Sequence, residues 1–76
     1  MRISNVSAKD NYLLEIILKD GNKGVFDVKP YLGLEAFSAL KNPVAFSRVI
    51  NGGYFVEWEN GADLSADTIE ARLKTS

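Results

Sequence analysis

The hydrophobic positions of this chain fall first into period two and only later into a helical spacing. Residues Arg2 to Ala8 alternate weakly, with Ile3 and Val6 set among polar neighbours, and read as a short opening strand. Lys9-Asp10-Asn11 supplies turn chemistry, because Asp and Asn side chains bond nearby backbone groups and tolerate left-handed conformations. Tyr12 to Lys19 is the strongest strand signal. Leu14, Ile16 and Leu18 share one face, while Leu13, Glu15, Ile17 and Lys19 share the other, so both faces are largely apolar and the strand is expected to be central. Asp20-Gly21-Asn22 then makes a hairpin connection, with Gly21 taking the positive φ, and Lys23 to Val28 returns as a third strand.

Pro30 has no N–H for a ladder and biases Lys29 away from helix, so the third strand should stop near Val28. Leu34 to Leu40 has room for a helical turn or two. Asn42-Pro43 is a helix start, Asn42 as N-cap and Pro43 in the first position, with Val44 to Val49 as the short helix. Asn51-Gly52-Gly53 breaks the chain before a strand from Tyr54 to Glu59, in which Tyr54, Val56 and Trp58 share a face and Trp58 anchors the core. Asn60-Gly61 predicts a type I′ turn with positive φ at both residues, returning through Ala62 to Leu64. Ser65 caps a final helix, Asp67 faces the positive end of its dipole, and Ala66, Ile69 and Leu73 form its apolar stripe. The expected fold class is α+β: an antiparallel meander, a short helical crossover, a C-terminal strand or hairpin, and a closing helix packed on the sheet.

Size and composition narrow the function. The 76 residues, 46% hydrophobic, are expected to form a single domain over 1–76 with one small core. There is no cysteine, which removes disulfides and thiolate chemistry, and no histidine, which removes the commonest general base and metal ligand. A non-enzyme without a cofactor is therefore expected. No apolar run approaches the length of a membrane span and no signal-peptide pattern opens the chain, so a cytoplasmic protein away from membranes is expected. Residues 1–48 carry seven basic and five acidic side chains, residues 49–76 two and five, for a net charge of −1. That balance gives no clustered positive surface for phosphates and argues against direct nucleic-acid binding by this domain.

Among candidate sites, Glu57, Glu59 and Asp63 are the densest carboxylate group, suited in principle to acid–base work or to a divalent cation. Strand alternation instead makes them a solvated acidic face, or an interaction surface. Asn60-Gly61-Ala62-Asp63 fails the ligand spacing of a calcium loop, and Gly52-Gly53 precedes a strand rather than the helix that a phosphate cradle needs. Lys19, Lys23 and Lys29 form a basic edge of the kind that also guards hairpins against aggregation. Phe37, Phe46 and Tyr54 are expected to fill the core rather than line a ligand pocket.

Three blocks carry a family likeness: Phe26-Asp27-Val28 with Pro30 and Leu32; Phe37, Leu40, Asn42-Pro43, Phe46 and Val49; and Trp58, Asn60-Gly61-Ala62-Asp63-Leu64 and Asp67. With Trp58, Asn60, Gly61, Asp63, Pro43 and Phe46 as its signature, the chain resembles the bacterial family known as domain of unknown function 2442. Glu59 stands where such chains often have proline before the Asn-Gly pair, which touches the shape of the loop. The resemblance brings no catalytic residue set. It implies a context: some similar chains carry a helix-turn-helix segment after this domain, and others are small proteins paired with another small protein, as in toxin–antitoxin regulation. The leading expectation is a non-catalytic interaction or dimerisation module whose partner is itself or another protein. A regulatory pair comes second and a carboxylate hydrolase third.

Overall fold

Strand β2 (Leu13–Leu18) lies at the centre of the larger of two antiparallel sheets in the computed structural model, which describes residues 2–75. It pairs with β1 (Ile3–Lys9) on one side and β3 (Lys23–Asp27) on the other, as its two apolar faces require. β3 also pairs with β7 (Lys74–Thr75), giving the order β1-β2-β3-β7. The β1–β2 connection is a tight turn over Asp10–Tyr12, in which both Asn11 (φ 62°) and Tyr12 (φ 60°) are left-handed. Asn11 tolerates that conformation. Tyr12, expected to open the strand, holds it because its hydroxyl donates to the Lys41 carbonyl, its ring meets Phe46 edge-on, and its own carbonyl accepts from Val28 N–H.

A 3-10 turn over Lys29–Tyr31 ends the meander beside Pro30, and a second, Glu35–Lys41, takes the place of the expected helical turns at Leu34 to Leu40. Helix α1 (Pro43–Ser47) follows with Pro43 in its first turn, and the Asn42 side chain accepts from Val44 N–H at 2.9 Å, as the capping signal required.

The second sheet has the order β4-β5-β6, formed by β4 (Ile50–Asn51), β5 (Phe55–Glu57) and β6 (Asp63–Ser65). Its first strand corrects the sequence reading of Asn51-Gly52-Gly53 as a simple break. Asn51 Oδ1 accepts from Gly53 N–H at 2.8 Å, Gly53 turns with φ +88°, and the chain folds back as a hairpin. Asn51 Nδ2 also donates to the Ile3 carbonyl, and Ile3 N–H to the Gly53 carbonyl, which ties the two sheets together. Helix α2 (Ala66–Arg72) is capped by Ser65, whose hydroxyl accepts from Thr68 N–H at 3.1 Å. It is not the closing element, because the chain continues into β7.

One buried cluster joins these parts. Leu14, Ile16, Phe26 and Val28 from the large sheet meet Leu40, Phe46, Val56, Trp58 and Ile69, all 3% exposed or less. Gly24 makes room on this inner face, since a Cβ there would stand 2.7 Å from Leu73 Cγ. Tyr54 departs from its expected place in the core: at 64% exposure it lies outside, with the Arg2 guanidinium 5.2 Å from its ring centre. β5 begins only at Phe55, so strand alternation does not extend back to Tyr54. The architecture is α+β, as the pattern implied.

Candidate functional site

The sequence candidates converge on the β5–β6 hairpin, and its geometry begins with the turn. Gly61 N–H donates to the Trp58 carbonyl, Trp58 N–H donates to the Ala62 carbonyl, and Gly61 has φ +92°. Asn60 is not among the positive-φ residues. The connection is therefore a three-residue loop over Glu59, Asn60 and Gly61 that ends in a glycine bulge, and not the expected type I′ turn. The same bonding pattern recurs at Leu18–Asn22, where Gly21 also has φ +92°. Asn60 instead ties the loop down with its side chain. Its Oδ1 accepts from Ala62 N–H at 3.2 Å and its Nδ2 donates to the Ala36 carbonyl at 3.4 Å.

Trp58, 2% exposed, packs parallel to Phe46 with ring centres 6.0 Å apart and meets Phe37 edge-on at 6.3 Å. Its indole Nε1 donates to the Phe46 carbonyl at 2.9 Å, satisfying an acceptor in the last turn of α1 that has no partner within the helix. The signature residues Trp58, Asn60, Gly61, Pro43 and Phe46 thus form one tie between the second sheet, α1 and the 3-10 segment before it.

The three carboxylates do not converge in the same way. Glu57 and Asp63 are direct cross-strand partners, and Val56 and Leu64 fill the buried face beside them, so both acids stand on the outer face with Ile50 and Phe55. Glu59 is a loop residue whose Oε2 lies 3.6 Å from Arg48 Nη1, with both side chains mostly in solvent. Among the described residues no group of three or more acids is placed to hold a metal ion. A groove of about 250 Å³ runs past Leu40, Ala45, Arg48, Trp58, Glu59 and Asn60. Its charged side chains are one carboxylate and one guanidinium, already paired. A wider groove of about 570 Å³ lies between the Ala8–Tyr12 turn and Pro43, Phe46 and Ser47. On the meander, Lys23 lies 3.8 Å from Glu15 and Lys29 3.9 Å from Asp27, so two of the three lysines of the basic edge have acidic neighbours.

Sequence reading did not single out the apolar side chains that the fold leaves in solvent: Leu34, Val44, Ile50 and Phe55, in addition to Tyr54. Phe55 carried a visible signal, since strand period two sets it on the face of Glu57, opposite Val56 and Trp58. Its ring lies over Gly52, where a Cβ would fall 2.4 Å from the ring.

No helix among the described residues is long and apolar enough to cross a membrane. No curated protein and no solved structure matches the chain. A family model described as "Protein of unknown function (DUF2442)" matches residues 3–75, nearly the whole length and all three blocks of the likeness, and the chain belongs to that family.

Proposed function

We propose that this chain is a non-catalytic protein-interaction module of the cytoplasm, working through apolar surface rather than through a reacting group. The observation that carries this reading is the set of large apolar side chains left outside the core: Leu34 (55% exposed), Val44 (60%), Ile50 (50%), Tyr54 (64%) and Phe55 (37%). Single exposed apolar residues are ordinary, but Ile50 and Phe55 share one sheet face, and an apolar patch edged by charges is the usual form of a protein-binding surface. The residue types present support the same reading, because neither a thiol nor an imidazole is available.

The test is affinity capture from the native cell with the wild-type chain and an Ile50→Asp, Phe55→Ser variant, each checked for folding by circular dichroism. A protein retained in fixed proportion by the wild type and lost by the variant supports the reading. A wild-type chain that retains nothing and stays a single 8.4 kDa species overturns it.

A further inference from the structure

We propose that Asn60-Gly61 is a self-modifying site of the folded chain, where the Asn60 amide is lost to the neighbouring peptide and water, while Asn51-Gly52, the same dipeptide one hairpin earlier, is held unreactive. The chemistry needs no group beyond the chain and its solvent. The Gly nitrogen, its proton given up to solvent, attacks the Asn side-chain carbonyl carbon. A bond from that nitrogen to Cγ forms, the Cγ–Nδ2 bond breaks, and Nδ2 takes up a proton and leaves as ammonia. Water then opens the five-membered imide at one of its two carbonyls, which leaves aspartate or, with the backbone now running through the former side chain, isoaspartate. Glycine favours the attack because it has no Cβ to hinder its nitrogen and its backbone turns freely.

Both pairs are bonded alike. Asn60 Oδ1 accepts from Ala62 N–H, and Asn51 Oδ1 accepts from Gly53 N–H. Nδ2 donates to a remote carbonyl in each case, that of Ala36 for Asn60 and that of Ile3 for Asn51. The Gly61 N–H donates across its hairpin to the Trp58 carbonyl, and the Gly52 N–H to that of Phe55. The bond to Oδ1 stands where negative charge collects during the attack and therefore favours it. The bonds made by the Gly nitrogen and by Nδ2 oppose it, so the rate follows how often local opening frees each pair from them.

The two sites differ in what must open. Asn51 belongs to β4 and is paired with Val56, and its hairpin is tied a second time to β1 by the Ile3 N–H, which donates to the Gly53 carbonyl. The Phe55 ring also lies against Gly52, 2.4 Å from where a Cβ would stand, and resists rotation of that peptide towards the Asn51 side chain. Asn60 lies in a loop outside the strand pairing, and nothing comes within 4 Å of the Cβ position of Gly61. Its side-chain bonds are the longer ones, 3.2 and 3.4 Å against 2.8 and 3.1 Å for Asn51.

Conversion at position 60 is one-way and changes the loop. An oxygen replaces the Nδ2 that donates to the Ala36 carbonyl, so acceptor faces acceptor and the tie between the second sheet and the Glu35–Lys41 turn is released. The new carboxylate also stands beside Glu59 and close to Asp63. Isoaspartate adds a backbone carbon before Gly61, and the paired bonds at Trp58, Gly61 and Ala62 lose their register.

The test is to age the full-length chain at mildly alkaline pH, folded and in denaturant, and to locate amide-to-acid conversion by fragment-ion mass spectrometry of the tryptic peptide covering residues 49–72, which contains both pairs. In the folded chain, position 60 should convert at least about tenfold faster than position 51, since a net hydrogen bond holds a pair closed by about fivefold and the Asn51 hairpin has more of them to break. In denaturant the two rates should be alike. Hydrogen exchange on the converted chain, separated by its added charge, should be faster at Trp58 and Ala62. Position 51 keeping pace in the folded chain overturns the proposal. So does a position 60 that stays intact in the folded chain after the denatured chain has converted, or a difference between the two that persists in denaturant.

Discussion

Replacing Trp58 by Phe weakens a link between the β5–β6 hairpin and α1 that rests on both packing and a hydrogen bond. Trp58 is 2% exposed and its Nε1 lies 2.9 Å from the Phe46 carbonyl, so Phe leaves a buried acceptor in the last turn of α1 without its donor. An unsatisfied buried carbonyl costs about 1–3 kcal/mol. The smaller ring also gives up roughly 40 Å² of buried apolar area, about 1 kcal/mol at 25 cal/mol per Å². Together the loss is about 2–4 kcal/mol, close to the ~3–5 kcal/mol that a chain of this size gains from one core. Urea unfolding followed by far-ultraviolet circular dichroism measures it without relying on the lost indole fluorescence. The variant should keep only about 1 kcal/mol of stability, with its urea midpoint reduced to about a quarter of the wild-type value at unchanged m-value. A fully folded variant that loses less than about 1 kcal/mol at unchanged m-value would refute the argument, because the bond would then carry no weight.

The loop chemistry gives sharper comparisons. Gly61→Ala and Gly21→Ala place a Cβ in open space at φ +92°, so each should cost about 1–2 kcal/mol from backbone strain alone, and the two should add in a double variant by urea unfolding. Gly24→Ala should lose about 1–3 kcal/mol for a different reason, since its Cβ would lie 2.9 Å from the Lys74 carbonyl oxygen; hydrogen exchange should show β7 detaching first. Asn42→Ala should cost about 1 kcal/mol in thermal unfolding and Asn42→Ser much less, because either an amide or a hydroxyl oxygen caps α1. Glu59→Gln should change stability by less than about 0.5 kcal/mol, as its contact with Arg48 is a solvent-exposed ion pair.

Much of this architecture is legible in the chain. Period two locates β1 to β3, and Asn42-Pro43 and Ser65 place both helix starts, because each signal rests on backbone chemistry within a few residues. The misplacements have long-range causes. β7 forms only because Gly24 admits Leu73 and β3 has a free edge, which no local pattern around Lys74 announces. Tyr12 adopts a left-handed backbone because Lys41 and Phe46, some thirty residues away, hold its side chain. The type I′ expectation at Asn60-Gly61 failed on the length of the loop: the pairing closes at Trp58 and Ala62, so Asn60 is freed to bond Ala36.

The candidate site was legible in outline and altered in meaning. Trp58, Asn60 and Gly61 sit together as their spacing suggests, and they act as a structural tie. Glu57 and Asp63 face each other across two strands while Glu59 turns away to Arg48, an arrangement that depends on register and cannot be read from the spacing of the three acids. The central place of β2 was present in the sequence as a strand apolar on both sides. Which of its two faces meets the core depends on the packing of the second sheet and the helices.

The native mass of the chain, drawn from its own cells without a tag and measured by size exclusion with light scattering, decides whether it works in a protein assembly. That mass should exceed the 8.4 kDa of a single chain and fall as the sample is diluted. A peak at 8.4 kDa from the first, concentrated fraction onward would contradict it.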